Sequence, residues 1–373
     1  MLLNQRKRKR TTMKEINETK EDRISQLPDC LLHHIFSFSD TAHVVKTCIL
    51  SKRWRYLWTS SPNLNFNSTT FSRVTTSEEK SFFNFVNQVL LRRNYTPINN
   101  FFYNSLNFVE AGAVESWIYY AVKHQVQHLI IEAYCPNLPP RFPHCFFGCT
   151  SLTTLKLVTC DYESMTLPRT LDLPSLKNLH LVRFKDFDGS IFSSCPNLET
   201  LKLEKLWMDR IRKFSVCAQN LKSLDILSMA ELMFYPNCEF IIMAPKLVDI
   251  KFVGHPPLLY STKNICSLDQ IDVDLPSHEL LDRLYRTDEQ KQKFALDVLQ
   301  MLNAFHIAKT ITLSANVIQV LSYIRCSLNE HPLPFPNLKF LKLKSSESSK
   351  NVKIPTFILN YFLKSSPLLE ICW

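Results

Sequence analysis

Cys145 and Cys149 stand four residues apart with His144 beside the first, a thiolate and imidazole grouping of the kind that holds zinc. No second ligand pair follows at the spacing that a tetrahedral site needs, so a structural metal is not expected. His33 and His34 are adjacent, His124 and His128 are four apart, and Asp269, Asp272 and Asp274 flank an apolar stretch. None of these groups is joined by a nucleophile on a glycine-bounded elbow. The chain has only 4 glycines against 20 prolines, and it lacks the glycine-rich loop that lets backbone N–H groups approach a phosphate. The histidines therefore read as structural or surface groups and the three acids as solvation of a repeat edge. No cofactor and no catalytic residue is expected. The 12 cysteines are scattered rather than arranged as a disulfide framework, which fits free thiols in a reducing compartment.

Two other clusters have a chemistry of contact. The run Arg6, Lys7, Arg8, Lys9 and Arg10 supplies five positive charges of a formal net +10, and the rest of the chain is only mildly basic. Such a tract is either a nuclear-import signal or a solvated, disordered tail. It is not the folded basic face that a nucleic acid requires. The second cluster is Ser51-Lys52-Arg53-Trp54-Arg55-Tyr56-Leu57-Trp58, in which two tryptophans share one helical face.

Leu27, Leu31, Leu32, Ile35 and Phe36 recur at helical spacing. Pro28 and Asp29 sit where a first helical turn tolerates a missing N–H and favours an acid. A helix over about 28–38 is predicted, followed by a turn at Ser39-Asp40-Thr41-Ala42 in which Asp40 or Thr41 caps the next helix. That helix carries Val44, Val45, Cys48 and Ile49, and Pro62 closes the unit. A package this small gains from a partner that covers an apolar face. Further helices are predicted over 78–93, 112–123 and 288–305, a final one within 354–369, and an extended segment over 101–108. Pro136, Pro139, Pro140 and Pro143 mark a loop. The first residues lack a signal-peptide core and no run of 18 apolar residues occurs, so a soluble protein of the nucleus and/or cytoplasm is expected, with no membrane partner.

The strongest pattern is a repeated frame, apolar-x-x-apolar-x-apolar. It reads Leu152, Leu155, Leu157; Leu176, Leu179, Leu181; Leu198, Leu201, Leu203; Leu221, Leu224, Ile226; and Leu247, Ile250, Phe252, with first positions 24, 22, 23 and 26 residues apart. An earlier copy is Val126, Leu129, Ile131 and a late one Leu338, Leu341, Leu343. The period is that of leucine-rich repeats, in which a strand and a returning segment stack on identical neighbours. Within each frame the leucines alternate with polar residues such as Lys156 and Lys202, placing leucines inward and polar groups on an open sheet face. Phrases such as Cys195-Pro196-Asn197-Leu198 and Ala244-Pro245-Lys246-Leu247 precede most frames, with proline fixing φ just outside the ladder.

The segment from Asp22 to Ile35 and the closing Leu50-Ser51-Lys52-Arg53-Trp54-Arg55-Tyr56-Leu57-Trp58 together resemble the F-box of the plant F-box and leucine-rich-repeat family, including the group that ends in an FBD region. The resemblance implies an α/β protein with a three-helix-type F-box over 22–66 and an open solenoid over 115–343. A linking segment over 67–114 and an FBD-like cap over 344–373 complete the expected domains. It further implies that the F-box docks on a Skp1-type adaptor, and through it on cullin, while the repeats hold a target protein whose identity is not legible. The positions matching the adaptor-contacting part are Leu27, Pro28, Leu31, Leu32, Ile35, Phe36, Leu50, Ser51, Lys52, Arg53, Trp54 and Trp58. For Leu27, Leu31, Ile35 and Trp54 the residues alone leave internal core as an open alternative. Ser39-Asp40 stands where the family reads Leu-Pro, which removes an apolar contact and a rigid turn. A repeat scaffold that binds the adaptor weakly or not at all is the alternative reading.

Overall fold

The computed structural model describes residues 24, 26–75, 79–135, 141–159, 167, 170–185, 187–206, 211–228, 238–255, 259–325, 328–330, 335–344, 355–366 and 369–372. The basic tract Arg6 to Arg10 and the loop expected at Pro136, Pro139 and Pro140 lie outside them.

Three short helices open the described chain: α1 (Asp29–Phe36), α2 (Thr41–Lys46) and α3 (Trp54–Leu57). The chain then alternates between strands and returning segments. The strands are β1 (Asn63–Asn67), β2 (Asn100–Phe108), β3 (His128–Tyr134), β4 (Thr154–Thr159), β5 (Asn178–Val182), β6 (Thr200–Glu204), β7 (Lys213–Cys217), β8 (Ser223–Ser228), β9 (Glu239–Met243), β10 (Asp249–Gly254), β11 (Leu259–Thr262), β12 (Gln270–Asp274), β13 (Thr310–Ser314), β14 (Phe340–Lys344) and β15 (Glu370–Cys372). Twelve of them form one sheet in the order β1-β2-β3-β4-β5-β6-β8-β10-β12-β13-β14-β15. Its neighbours all run parallel, as a coil of stacked repeats requires.

Register explains the repeated frame. Leu129, Leu155, Leu179, Leu201, Leu224, Ile250, Ile271, Ile311 and Leu341 stand opposite one another in successive strands. Each is essentially fully buried, so the frame writes one continuous column of core. The turns before the strands close with i to i+3 bonds, from Leu198 N–H to the Cys195 carbonyl at 3.1 Å and from Leu247 N–H to the Ala244 carbonyl at 3.1 Å. Asparagines in these turns tie repeats together: Asn197 Nδ2 donates to the Pro174 carbonyl at 2.7 Å and Asn220 Nδ2 to the Pro196 carbonyl at 2.8 Å. After β5, β6 and β10 the backbone passes through positive φ at Arg183, Lys205 and Gly254. The next side chains, Phe184, Leu206 and His255, are turned into the core.

The returning segments differ along the array. Helices α4 (Ser68–Thr75), α5 (Glu79–Arg92) and α6 (Ala111–Lys123) serve the first strands, and α7 (His278–Leu284), α8 (Asp288–Ala304), α9 (Ala315–Ser322) and α10 (Thr356–Ser365) the last. Between them lies a second, parallel sheet of three strands in the order β11-β9-β7, one from each of three consecutive repeats. Phe214 and Phe240, ring centroids 4.9 Å apart, are buried within it, and Tyr260 of β11 meets Phe252 of β10 at 5.4 Å between ring centroids.

The array is longer than the spacing of leucines predicts. Residues 67–114, expected as a link, contribute α4, α5 and β2, and β1 already belongs to the sheet. The reason is compositional: Leu64 and Phe66 are flanked by Asn63, Asn65 and Asn67, poor strand formers that are held extended by pairing with β2. At the other end β15 pairs with β14, so residues beyond 343 extend the sheet as well as covering it. The outer edge of β1 is met by α2, where Thr41 Oγ1 accepts from Asn65 N–H at 2.8 Å.

Candidate functional site

Helix α1 is apolar on two faces. Leu32 and Phe36, four apart, point inward and join Val44, Trp54 and Leu57 in a small core separate from that of the repeats. Phe36 and Trp54 meet edge to face with ring centroids 5.5 Å apart. Leu31 and Ile35, one position earlier, form a second stripe that this core does not use: they are 48% and 46% exposed. Phe38, Ile49, Leu50 and Tyr56 are more exposed still, and Ile24 is likewise in solvent. Seven large apolar side chains within 33 positions (Ile24 to Tyr56) thus face water around a unit whose own core is complete without them. Scattered single apolar residues need no explanation, but seven on one short unit exceed the exposure found along the rest of the described chain.

The unit is well braced. Arg53 donates to the Leu27 carbonyl at 2.6 Å and to the Asp29 carboxylate, closing the start of α1 on the start of α3. Ser51 Oγ accepts from Trp54 N–H at 3.3 Å. Asp40 caps α2, accepting from His43 N–H at 3.2 Å, so the turn that lacks Leu-Pro is held by a hydrogen bond instead. His33 lies 3.1 Å from the Leu57 carbonyl and 3.3 Å from Ser60 Oγ, an internal brace.

Of the twelve positions singled out from sequence, Pro28, Leu31, Ile35, Leu50, Lys52 and Arg53 are exposed, Leu27, Ser51 and Trp58 are half-buried, and Leu32, Phe36 and Trp54 are core. Phe38, Ile49 and Tyr56 were not among them. Their signal was available: each is apolar at a position that the buried stripe does not need. Trp58 packs against both cores, and its Nε1 donates to the Arg55 carbonyl at 3.0 Å. It divides from Trp54 because α3 ends at Leu57 and a tighter turn begins.

The junction with the repeats is ordered. Asn94 N–H donates to the Thr59 carbonyl at 3.0 Å. Arg93, 8% exposed, donates to the Ser61 carbonyl and, at 3.1 Å, to Thr96 Oγ1. Burial pulls its pKa below the usual arginine value.

The open face of the large sheet carries Lys156, His180, Lys202, Asp225, Lys251 and Asp272 in one register row. Lys156 pairs with Glu132 at 2.5 Å, and Glu204 lies 3.2 Å from His180 and 3.9 Å from Lys202. Burial first, then Lys202, lowers the pKa of His180. Lys344 reaches across β13 to Asp272 and leaves Thr312 buried beneath the pair. Half-buried residues alternate with buried ones on this face from β1 to β12, whereas every residue of β13 is buried. His124 is buried, with Nδ1 3.1 Å from the Thr96 carbonyl, and its pKa is lowered by burial. Among the described residues no group of three His, Cys, Asp or Glu could hold a metal, and no helix is long and apolar enough to cross a membrane.

Residues 24–66 match the family model of the F-box domain. Residues 114–256 match that of the LRR repeats of FBD-associated F-box protein At5g56370. Over these two regions the chain is similar to plant F-box/LRR-repeat proteins. An F-box/FBD/LRR-repeat protein of Arabidopsis thaliana, At1g78750, is 29% identical over 86% of this chain and 71% of its own length. The F-box/LRR-repeat protein At4g14103 of the same plant is 29% identical over 94% of this chain and 90% of its own length. At5g56420, another Arabidopsis F-box/FBD/LRR-repeat protein, is 34% identical over 62% of this chain and 55% of its own length. The F-box match ends within β1, so the first strand of the array follows the F-box match without a spacer.

Proposed function

We propose that this chain is the substrate-recognition subunit of a Skp1–cullin–F-box ubiquitin ligase, binding a Skp1-type adaptor through the exposed apolar side of its F-box and a target protein through the sheet face from β3 to β10. The observation that carries the reading is the second stripe of α1, Leu31 and Ile35, with Phe38, Ile49, Leu50 and Tyr56 of the same unit, left in water by a core that closes without them. A buried aromatic and aliphatic cluster with a polar surround is what dominates protein interfaces; here Lys52 and Arg53 supply exposed charge beside it. The chain's contribution to ubiquitin transfer is proximity: it holds the target near a conjugating enzyme carried elsewhere in the complex. The ordered junction at Trp58, Arg93 and Asn94 supports this, because a fixed F-box fixes the direction in which the sheet face presents its target.

The test is co-purification with a Skp1-type adaptor. Leu31→Asp and Ile49→Asp lose binding while keeping the melting temperature of the parent. Trp54→Ala is a different perturbation: it opens the small core and lowers stability by ~3–5 kcal/mol. Retention of binding in both aspartate variants overturns the assignment of this face.

A further inference from the structure

Fourteen large apolar side chains are exposed among the described residues; seven lie between Ile24 and Tyr56, and three of the next four, Leu91, Tyr95 and Tyr119, belong to α5, the turn after it and α6. The rest of the array, more than twice as long, exposes only Val248, Leu259 and Leu296. The apolar surface is thus concentrated at one end of the molecule and does not stop where the F-box stops. Between α5 and α6 it deepens into a groove of about 410 Å³ walled by Leu90, Leu91, Tyr95, Trp117 and Tyr120, within the range of side-chain and small-ligand pockets (~300–1,000 Å³).

The groove is built rather than incidental. Trp117 is held by a bond from Nε1 to Asn87 Oδ1 at 2.8 Å. The His124 ring lies between two tyrosines, 4.1 Å from Tyr120 and 4.8 Å from Tyr95 by ring centroids. The turn that presents Tyr95 is the one pinned to the F-box: Asn94 donates to the Thr59 carbonyl at 3.0 Å, and Thr59 Oγ1 donates to the Tyr56 carbonyl at 2.6 Å. Two hydrogen bonds therefore connect the backbone beside Tyr95 with that of Tyr56, the last exposed aromatic of the F-box.

We infer that the adaptor's contact surface extends beyond the F-box onto the first helices of the array, where an apolar side chain of the adaptor enters the groove between α5 and α6. This rests on the adaptor reading given above. Continuity selects the adaptor over a target: the groove adjoins the closing turn of the F-box, whereas the face proposed above for a target is the sheet from β3 to β10.

The experiment is titration calorimetry of the full chain with a purified Skp1-type adaptor, with amide exchange on the same complex. Leu91→Glu and Tyr95→Glu, both at exposed positions, each weaken adaptor binding about tenfold or more, the loss typical of an interface anchor. Ser116→Trp, which fills the groove from an exposed position, does the same, and all three melt with the parent. In the parent, adaptor slows exchange over residues 87–95 and 116–124. Parental affinity in all three variants, or no new protection in those segments, overturns the inference; loss of binding in Leu31→Asp then shows that the F-box reading stands without it. An intact chain that does not bind adaptor overturns both. Self-association of the free chain that Tyr95→Glu abolishes, with adaptor affinity unchanged, assigns the groove to a second copy and overturns the inference as well.

Discussion

His255→Leu removes one buried imidazole from a position that neighbouring repeats fill with hydrocarbon. In the β5 and β6 repeats the residue after the positive-φ turn is Phe184 or Leu206. His255 is 7% exposed, its ring centroid is 4.9 Å from that of Phe294, and Nε2 lies 3.0 Å from the Tyr285 hydroxyl. Burial drives its pKa from 6.5 down to about 4. The folded protein therefore holds it neutral, while the unfolded chain protonates it near 6.5. As pH falls through 6.5 the unfolded state takes up a proton that the folded state refuses, so stability declines by about 1.4 kcal/mol per pH unit and levels off below about 4. Over the whole window the loss from this group is about 3 kcal/mol. Urea unfolding of parent and His255→Leu at several pH values isolates it, since every other titrating group is shared. The difference in unfolding free energy, variant minus parent, grows by about 3 kcal/mol between pH 7 and pH 4. Parallel pH curves would refute the reasoning, because a solvated or protonated His255 has no such linkage.

Three further outcomes follow from the same geometry. Gly189 has φ +78 and a Cβ added there runs into the Ser215 carbonyl, whereas Gly148, at φ +79, has nothing within 4 Å; Gly148→Ala costs ~1–2 kcal/mol for the left-handed backbone alone and Gly189→Ala clearly more, read by urea midpoints. Arg93→Met leaves the Ser61 carbonyl without its donor and costs ~1–3 kcal/mol, with faster amide exchange in the F-box and at residues 94–98 ahead of the rest of the sheet; unchanged exchange there would show that Arg93 does not tie the two units. For the basic tract, a fluorescent fusion lacking residues 1–14 shifts from nucleus to cytoplasm in plant cells if Arg6, Lys7, Arg8, Lys9 and Arg10 form an import signal, and an unchanged distribution makes the tract a solvated tail.

Much of the architecture was written in the spacing of leucines, because a column of core residues in register has to recur once per repeat. The frame at Leu268, Ile271 and Val273 has the same form and becomes β12, yet three neighbouring aspartates hid it as a solvated edge. The strands β7 and β9 carried a shorter mark, Phe214, Val216 and Ala218 matched by Phe240, Ile242 and Ala244, whereas β11 has no such frame and is a strand by pairing with β9. In the F-box, spacing identified α1 but could not say which of its two apolar stripes faces inward. That choice is made by Trp54, Val44 and Leu57 packing on Leu32 and Phe36, contacts between elements that no single helix encodes. His255 was equally silent in sequence, since its burial comes from Tyr285 and Phe294 of α8 and the turn before it.

The proposed role depends on an adaptor binding the apolar F-box surface that this fold leaves open. Its most direct measurement is the dissociation constant of the intact chain for a purified Skp1-type adaptor, beside that of Leu31→Asp at matched thermal stability. The expected result is a stable one-to-one complex for the parent and loss of at least two orders of magnitude in affinity for the variant, about 3 kcal/mol. A parent chain that stays free in excess adaptor, or a variant that binds as the parent does, would contradict it.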